Sequence, residues 1–224
     1  VTLSEPIRLI SREELSVMLP RLSFVRQASS GDDFVLHDEM RRLVTRYCWE
    51  IQDPGRRFRK DISRSVIDNY KQEMSHVLSE QQRQAYVIET LYHQLFIDLS
   101  DGLRYFQEHF QSATRLWKTA FARLLLQEMQ KFADLLSSAQ HNDLLLAEAK
   151  LLRIEQNMAA ALQVLQHLEC TPDEHWHTEH QADLLMEEGL SYLGQSKFPE
   201  ADNCFTQCLA IEETRGNDLR SAYL

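Results

Sequence analysis

The chain has 224 residues, which is enough for one large domain or two small ones. Six glycines and five prolines are few for this length, and leucine, glutamine, glutamate and alanine abound, which favours helices over sheets. No apolar run approaches the ~18–20 residues that span a bilayer, so we expect a soluble protein without a membrane partner. Four scattered cysteines show no disulfide framework, which favours a reducing cytoplasm.

The first residues, Val1 onward, lack both a methionine and the layout of a signal peptide. The last residues, 221–224, are typical of the start of another helix. We therefore expect the chain to be a fragment of a longer polypeptide.

The first predicted element is a β-hairpin, and a helix follows it. Apolar residues stand in the ranges 22–26 and 34–36, on either side of a turn rich in glycine and aspartate. From about His37, apolar residues at three- and four-residue steps predict a helix, and Asp38 suits its N-cap or first turn. A histidine at the start of a helix is well placed to contact an anionic ligand. A helix before the hairpin, the hairpin and the helix after it would together form a winged-helix domain, which we predict over residues 1–54.

These residues resemble the winged-helix domain of the STAND signalling ATPases, the NB-ARC and NACHT-type switches. Domains of that family end in a Met-His-Asp-like motif followed by a helix, and this chain has Leu36-His37-Asp38, with leucine in place of methionine. The resemblance implies that His37 contacts the β-phosphate of bound ADP in the full-length protein, with Asp38 as the helix cap beside it. From the residues alone, His37 can equally be a surface histidine next to a helix cap.

A basic segment follows the motif. Residues 41–64 hold eight arginines and lysines against three acidic residues, whereas residues 165–224 hold twelve acidic residues against three basic ones. The basic segment could bind DNA through its phosphates. It could also face a bound nucleotide or an acidic surface of the parent protein, or form a solvated helix face. The acidic character of the whole chain speaks against a nucleic-acid partner.

Beyond Pro54 and Gly55 the pattern predicts an antiparallel helical array. Residues 55–140 carry apolar stripes at helical spacing, with Ser79 and Gln82 as a capping box and Ser100–Gly102 as a break. We interpret this range as a helical spacer.

Residues 141–224 resemble tetratricopeptide repeats. The signature of small and large residues comprises Gly189, Tyr192, Phe198, Ala201, Phe205 and Leu209. A weaker copy precedes it, with Ala149 on its first helix and Ala161 on its second. We expect Cys170–Glu179 to form a long loop between the copies, and a third, truncated copy to begin near Asn217. The predicted fold is therefore mainly all-α: a winged helix with one small hairpin, then a helical array that leads into a repeat solenoid.

Three possible chemical sites have simpler explanations. Gly189 to Ser196 has the glycine spacing of a P-loop, but Gln195 replaces the lysine that would contact phosphates, and no strand precedes it. Four histidines lie near Cys170, yet their spacing matches no standard zinc site, and a polar loop accounts for them. Cys204 and Cys208 lie one helical turn apart, as core residues do. We therefore expect no catalytic residue, metal or cofactor in the fragment.

The hypothesis is a regulatory and protein-interaction fragment of a STAND ATPase. The resemblance implies that a nucleotide-binding domain of the same chain binds ADP or ATP and that His37 reports the bound state. Binding of a protein or peptide to the repeat surface would then shift a two-state equilibrium. The alternative is a DNA-binding transcriptional regulator with a winged helix and a tetratricopeptide effector domain. The sequence names neither the signal, nor the effector, nor the oligomeric state.

Overall fold

The computed structural model of this chain describes residues 17–18, 21, 25–27, 34–36, 53–76 and 79–216. Within these ranges the chain is mainly helical, as predicted, and it divides into two compact units, Val1–Ile62 and Ser63–Leu224. Among the helices described, none combines the length and the apolar character needed to cross a membrane.

Two short strands pair in the region where the sequence predicts a hairpin. Strand β1 (Val25–Gln27) runs antiparallel to β2 (Phe34–Leu36), with Val25 opposite Leu36 and Gln27 opposite Phe34. Most of residues 1–52 lies outside the described residues, so the winged helix itself stays a prediction.

Eight α-helices follow in the described residues. They are α1 (Arg57–Met74), α2 (Glu80–Ile97), α3 (Leu99–Arg115), α4 (Thr119–Gln130), α5 (Ser138–Ile154), α6 (Met158–Glu169), α7 (Glu174–Gly194) and α8 (Phe198–Thr214), with a short 3-10 turn at Ala133–Leu135. The predicted capping box of Ser79 and Gln82 starts α2, and an equivalent box of Ser137 and Gln140 starts α5. In each box the serine hydroxyl accepts an amide hydrogen that the helix leaves unpaired.

The break between α2 and α3 lies at Asp98, and the prediction that Ser100–Gly102 interrupts the helix was wrong. The Asp98 carboxylate accepts hydrogen bonds from the amides of Ser100 and Asp101 and so starts α3 at once. Gly102 is an interior residue of α3. A Cβ at this position would lie 2.8 Å from the Cα of Leu95, so glycine is needed for the close approach of α3 to α2.

Helices α3 to α8 form three consecutive pairs that share one turn geometry. In each turn one residue adopts a left-handed conformation: Trp117, Gln156 and Ser196, with φ of 57°, 64° and 61°. The amide of the next residue (Lys118, Asn157 and Lys197) donates to the carbonyl five positions back, at 2.9, 2.9 and 3.0 Å. This bond satisfies a carbonyl that the end of the first helix would otherwise leave without a partner.

The second helices of the three pairs share their buried positions. Five residues after each left-handed residue comes a fully buried alanine: Ala122, Ala161 and Ala201, spaced by 39 and 40 residues. Four and seven residues after each alanine come further buried or partly buried residues, which are large except for the cysteine of the third pair. They are Leu126 and Met129, Leu165 and Leu168, and Phe205 and Cys208. The α3–α4 pair lies inside the range that the sequence assigns to a spacer.

The α7–α8 pair is the one that the sequence predicts most sharply, between Gly189 and Glu212. A Cβ at Gly189 would lie 2.5 Å from the Phe205 ring, so the missing side chain is what lets this ring pack on α7. Cys204 and Cys208 are buried, as predicted for core residues. The prediction that Phe205 and Leu209 are buried was wrong in degree, since both are only partly buried. The reason is that the two cysteines occupy the central buried positions of α8.

The predicted long loop Cys170–Glu179 was also wrong, because α7 begins at Glu174. The Asp173 side chain accepts a hydrogen bond from the amide of Trp176 and starts the helix there. Trp176 is 2% exposed and packs in a core cluster with Ala149, Leu165 and Leu168. The burial of one large indole thus adds a helical turn where a run of polar residues suggested a loop.

Candidate functional site

The predicted nucleotide contacts, His37 and Asp38, lie outside the described residues. Strand β2 ends at Leu36, directly before them. Their role therefore stays a prediction, and the candidate site lies among the described helices of the second unit.

A groove runs along the first helices of the three pairs, α3, α5 and α7. It encloses about 330 Å³. Phe106 and Phe110 on α3 and Leu144 and Ala147 on α5 are its main apolar lining. The two phenylalanine rings stack with centroids 5.3 Å apart and are both 4% exposed, so the groove rests on the buried core.

The acidic residues of the groove are held by partners within the protein. Glu187 on α7 forms a two-pronged ion pair with Arg153 on α5, with Nε 2.6 Å and Nη2 3.3 Å from its carboxylate oxygens. Asp143 accepts a hydrogen bond from Trp176 Nε1 at 2.7 Å. Asp183 takes part in an interaction as well. The Arg153–Glu187 and Trp176–Asp143 contacts tie α5 to α7, and the first of them pairs the Glu187 charge with a cation.

Several polar groups on the rim, in contrast, have no partner among the described residues. Gln107 and Gln111 on α3 and Lys150 on α5 line the groove, and their side-chain amide and ammonium groups form no hydrogen bond there. Lys150 and Gln111 also line an adjoining cavity of about 540 Å³, where Arg115 and Trp117 lie. Trp117 is 69% exposed. An apolar floor with a few convergent polar groups is the usual composition of a binding site.

The histidines near Cys170 are engaged with protein atoms rather than grouped around a common point. His177 lies 3.1 Å from the Thr171 hydroxyl and 2.9 Å from the Thr171 carbonyl. His180 stacks on Trp176 with centroids 4.5 Å apart, and its Nε2 lies 3.4 Å from Asp143. In the part of the chain that the structure describes, no three His, Cys, Asp or Glu residues are placed to hold a metal ion.

The glycine pattern Gly189–Ser196 lies at the end of α7 and in the turn that follows, not between a strand and a helix. Its geometry is that of the repeated turn, with Ser196 in the left-handed conformation. The structure therefore agrees with rejecting this segment as a phosphate-binding loop.

Part of the basic segment has a local structural role. The Arg59 amide donates to the Asp53 carboxylate at 3.0 Å, and the Arg59 guanidinium donates to the Asp53 carbonyl at 3.1 Å. These contacts fix the start of α1. Arg59 is thus committed to a contact within the protein.

No family model, no curated protein and no solved structure matches this chain.

Sequence reasoning missed half of the groove, because it assigned α3 to a spacer. The position that holds Ala149 and Gly189 in the later pairs holds Phe110 in the first, which hides the small-residue signature. The buried alanine spacing of 39 and 40 residues was the signal that could have revealed the first pair.

A second cluster joins α6, α7 and α8 through carboxyl groups. Burial, together with the neighbouring Glu169 carboxyl, raises the pKa of Glu188 to about 7. The Cys204 thiol lies 4.0 Å from Glu188, and burial raises the pKa of that thiol too. The cluster therefore favours a protonated Glu188 that shares its hydrogen with Glu169.

We expect the parent chain to lose stability as the pH rises from about 4.5 to 7, and we expect Glu188→Gln to reduce this loss. The pKa of Glu188 is about 7 in the folded chain and 4.5 ordinarily, so folding favours the protonated carboxyl. The stability that protonated Glu188 contributes is therefore fully present below pH 4.5 and is lost as the pH rises through 7. Thermal unfolding at pH 5 and pH 8 measures the effect. Glu213→Gln, an exposed carboxyl on α8, is the control. An unchanged pH dependence in Glu188→Gln would contradict the expectation.

Proposed function

We propose that the three helix pairs between Leu99 and Thr214 form a protein-binding array of tetratricopeptide type. The groove along α3, α5 and α7 is the observation that carries the proposal, because a concave row of first helices is how helical repeats present a binding surface. The close approach at Gly189 and the buried alanines of the second helices support the repeat assignment.

The groove suits a peptide better than a small polar substrate. Its floor is apolar, and its glutamine side chains offer both donors and acceptors, which match the alternating amides and carbonyls of an extended main chain. The described groove residues include no nucleophile paired with a base. Binding, rather than turnover, is therefore the function that this surface supports.

A capped random-peptide library tests the proposal. The whole 224-residue chain is immobilised, and bound peptides are ranked by titration. Gln111→Trp places an indole at the mouth of the groove on an exposed helix position, so the fold is retained. We expect this change to weaken selected peptides about tenfold or more, because the added ring occupies their place. Amide exchange should show protection on α3, α5 and α7.

Gln127→Trp is the matched control, since Gln127 is an exposed glutamine on α4 that does not line the groove. It should leave the affinities unchanged. If no peptide is selected, or if both tryptophan variants bind equally well, the groove is not a binding surface.

We also propose that this array belongs to a nucleotide-switched STAND ATPase, in which peptide binding would shift a closed-to-open equilibrium. The supporting observations are the paired strands that end at Leu36 and the motif Leu36-His37-Asp38. In the longer protein, His37→Ala should speed the release of ADP, because one phosphate contact of the closed state is lost. The measurement is the dissociation rate of ADP from the full-length parent protein and from its His37→Ala variant. Equal rates would return His37 to a surface histidine.

A further inference from the structure

The acidic side chains of the groove have partners within the protein, whereas its lysine has none among the described residues. Arg153 forms an ion pair with Glu187, Asp143 is hydrogen-bonded by Trp176 and lies 3.4 Å from His180, and Asp183 has an interaction within the protein. Lys150, by contrast, forms no hydrogen bond or ion pair among the described residues. A partly buried cation without a partner is a stronger attractor than an exposed one, since less water screens it. Lys150 is therefore a cation of the groove that a carboxylate of a ligand can pair with.

Lys150 also stands at the junction of the two cavities. It lines the apolar groove together with Phe110 and Ala147, and it lines the adjoining cavity together with Arg115 and Trp117. A ligand that contacts Lys150 can place one neighbouring side chain on the apolar floor and another against the exposed indole. Arg115 is a second cation without a partner among the described residues, and it lines the same adjoining cavity.

Resting on the proposed function as a peptide-binding array, we propose that the groove selects peptides in which an acidic side chain lies beside a bulky apolar one. The carboxylate binds Lys150 and Arg115, the apolar side chain packs against Phe106 and Phe110, and Gln107 and Gln111 hydrogen-bond the peptide main chain. The recognised acid is a side chain within the peptide, so that the chain continues along the groove in both directions.

Charge also argues against a polyanion such as nucleic acid. Asp143, Asp183 and Glu187 lie within the groove beside Lys150, and the chain as a whole carries a formal charge of −10. A row of phosphates brings several negative charges near these carboxylates, whereas a single carboxylate brings one and meets less repulsion.

The test compares cations inside and outside the groove on the whole chain. The probes are twelve-residue random peptides, acetylated and amidated so that terminal charges play no part. We expect the selected peptides to be enriched in Asp or Glu next to Phe, Leu or Trp. Lys150→Gln should weaken their binding about tenfold, as the loss of one charge-assisted contact implies. Lys150→Glu should turn the preference towards basic peptides.

Lys197→Gln is the matched control, because it removes the same charge from the α7–α8 turn, outside the groove. It should leave the affinities unchanged. Peptides that lose binding with Gln111→Trp but show neither acidic enrichment nor sensitivity to Lys150→Gln would overturn this inference and leave the proposed function standing.

A chain that selects no peptide would overturn both. A 20-nucleotide single-stranded DNA that binds tightly at ~150 mM salt, and loses binding with Lys150→Gln, would overturn the inference in favour of a nucleic-acid site. Thermal melts of each variant check that the fold is kept, as we expect for a lysine without an internal hydrogen bond or ion pair.

Discussion

Replacing Glu187 by alanine is expected to destabilise the second unit by about 3–5 kcal/mol. Arg153 and Glu187 are largely buried, with side chains 18% and 11% exposed, and they join α5 to α7 through two hydrogen bonds. Removing the carboxylate leaves the largely buried Arg153 guanidinium without a counter-charge, which costs more than the pair contributes when it is intact. Urea unfolding of the two proteins gives the difference in free energy of unfolding.

The double variant Arg153→Met and Glu187→Leu should recover most of this loss, because two apolar side chains can pack where a buried ion pair stood. Arg104→Ala serves as the contrast. It breaks the exposed Arg104–Asp101 pair, whose side chains are 70% and 59% exposed, and should cost no more than about 1 kcal/mol. Equal losses of unfolding free energy for Glu187→Ala and Arg104→Ala would show that burial of the ion pair does not determine the cost of breaking it.

Replacing Trp176 by alanine is expected to cost about 3–5 kcal/mol. The indole is 2% exposed, stacks on His180 and donates to Asp143. Alanine leaves a cavity at the start of α7 and also removes the hydrogen bond to the carboxylate. Trp176→Phe keeps an aromatic ring but loses that bond, so we expect an intermediate loss of about 1.5–3 kcal/mol.

Trp117→Ala is the control, because Trp117 is 69% exposed and a surface substitution usually changes stability by no more than about 0.5 kcal/mol. Urea unfolding followed by circular dichroism measures all three variants. The prediction fails if Trp176→Ala and Trp117→Ala unfold at the same urea concentration.

Local signals in the sequence predicted local structure well. The capping box of Ser79 and Gln82 placed the start of α2, because its hydrogen bonds join residues only three positions apart. The helix pair around Gly189 was visible for the same reason, since its small and large residues recur at short, fixed intervals.

Features that depend on distant contacts could not be predicted. Gly102 suggested a helix break by its propensity, but α3 continues through it because the contact with Leu95 needs a residue without a side chain. Glu174–Glu179 looked like a loop, but the burial of Trp176 against α5 makes it helical. The groove could not be predicted because its lining residues come from three helices that are distant in sequence, and only packing brings Phe110, Lys150 and Glu187 to one cavity.

The three turns at Trp117, Gln156 and Ser196 have a consequence for how such a chain can change its length. Because each turn joins its helices with the same backbone bonds, the sequence between two of them is one interchangeable module of 39 or 40 residues. Removing residues 118–156 would connect α3 to α6 through an unchanged turn, with Ala161 taking the place of Ala122. We therefore expect duplication or loss of whole modules to preserve the local geometry, so that the proposed binding surface can grow or shrink in steps of one helix pair.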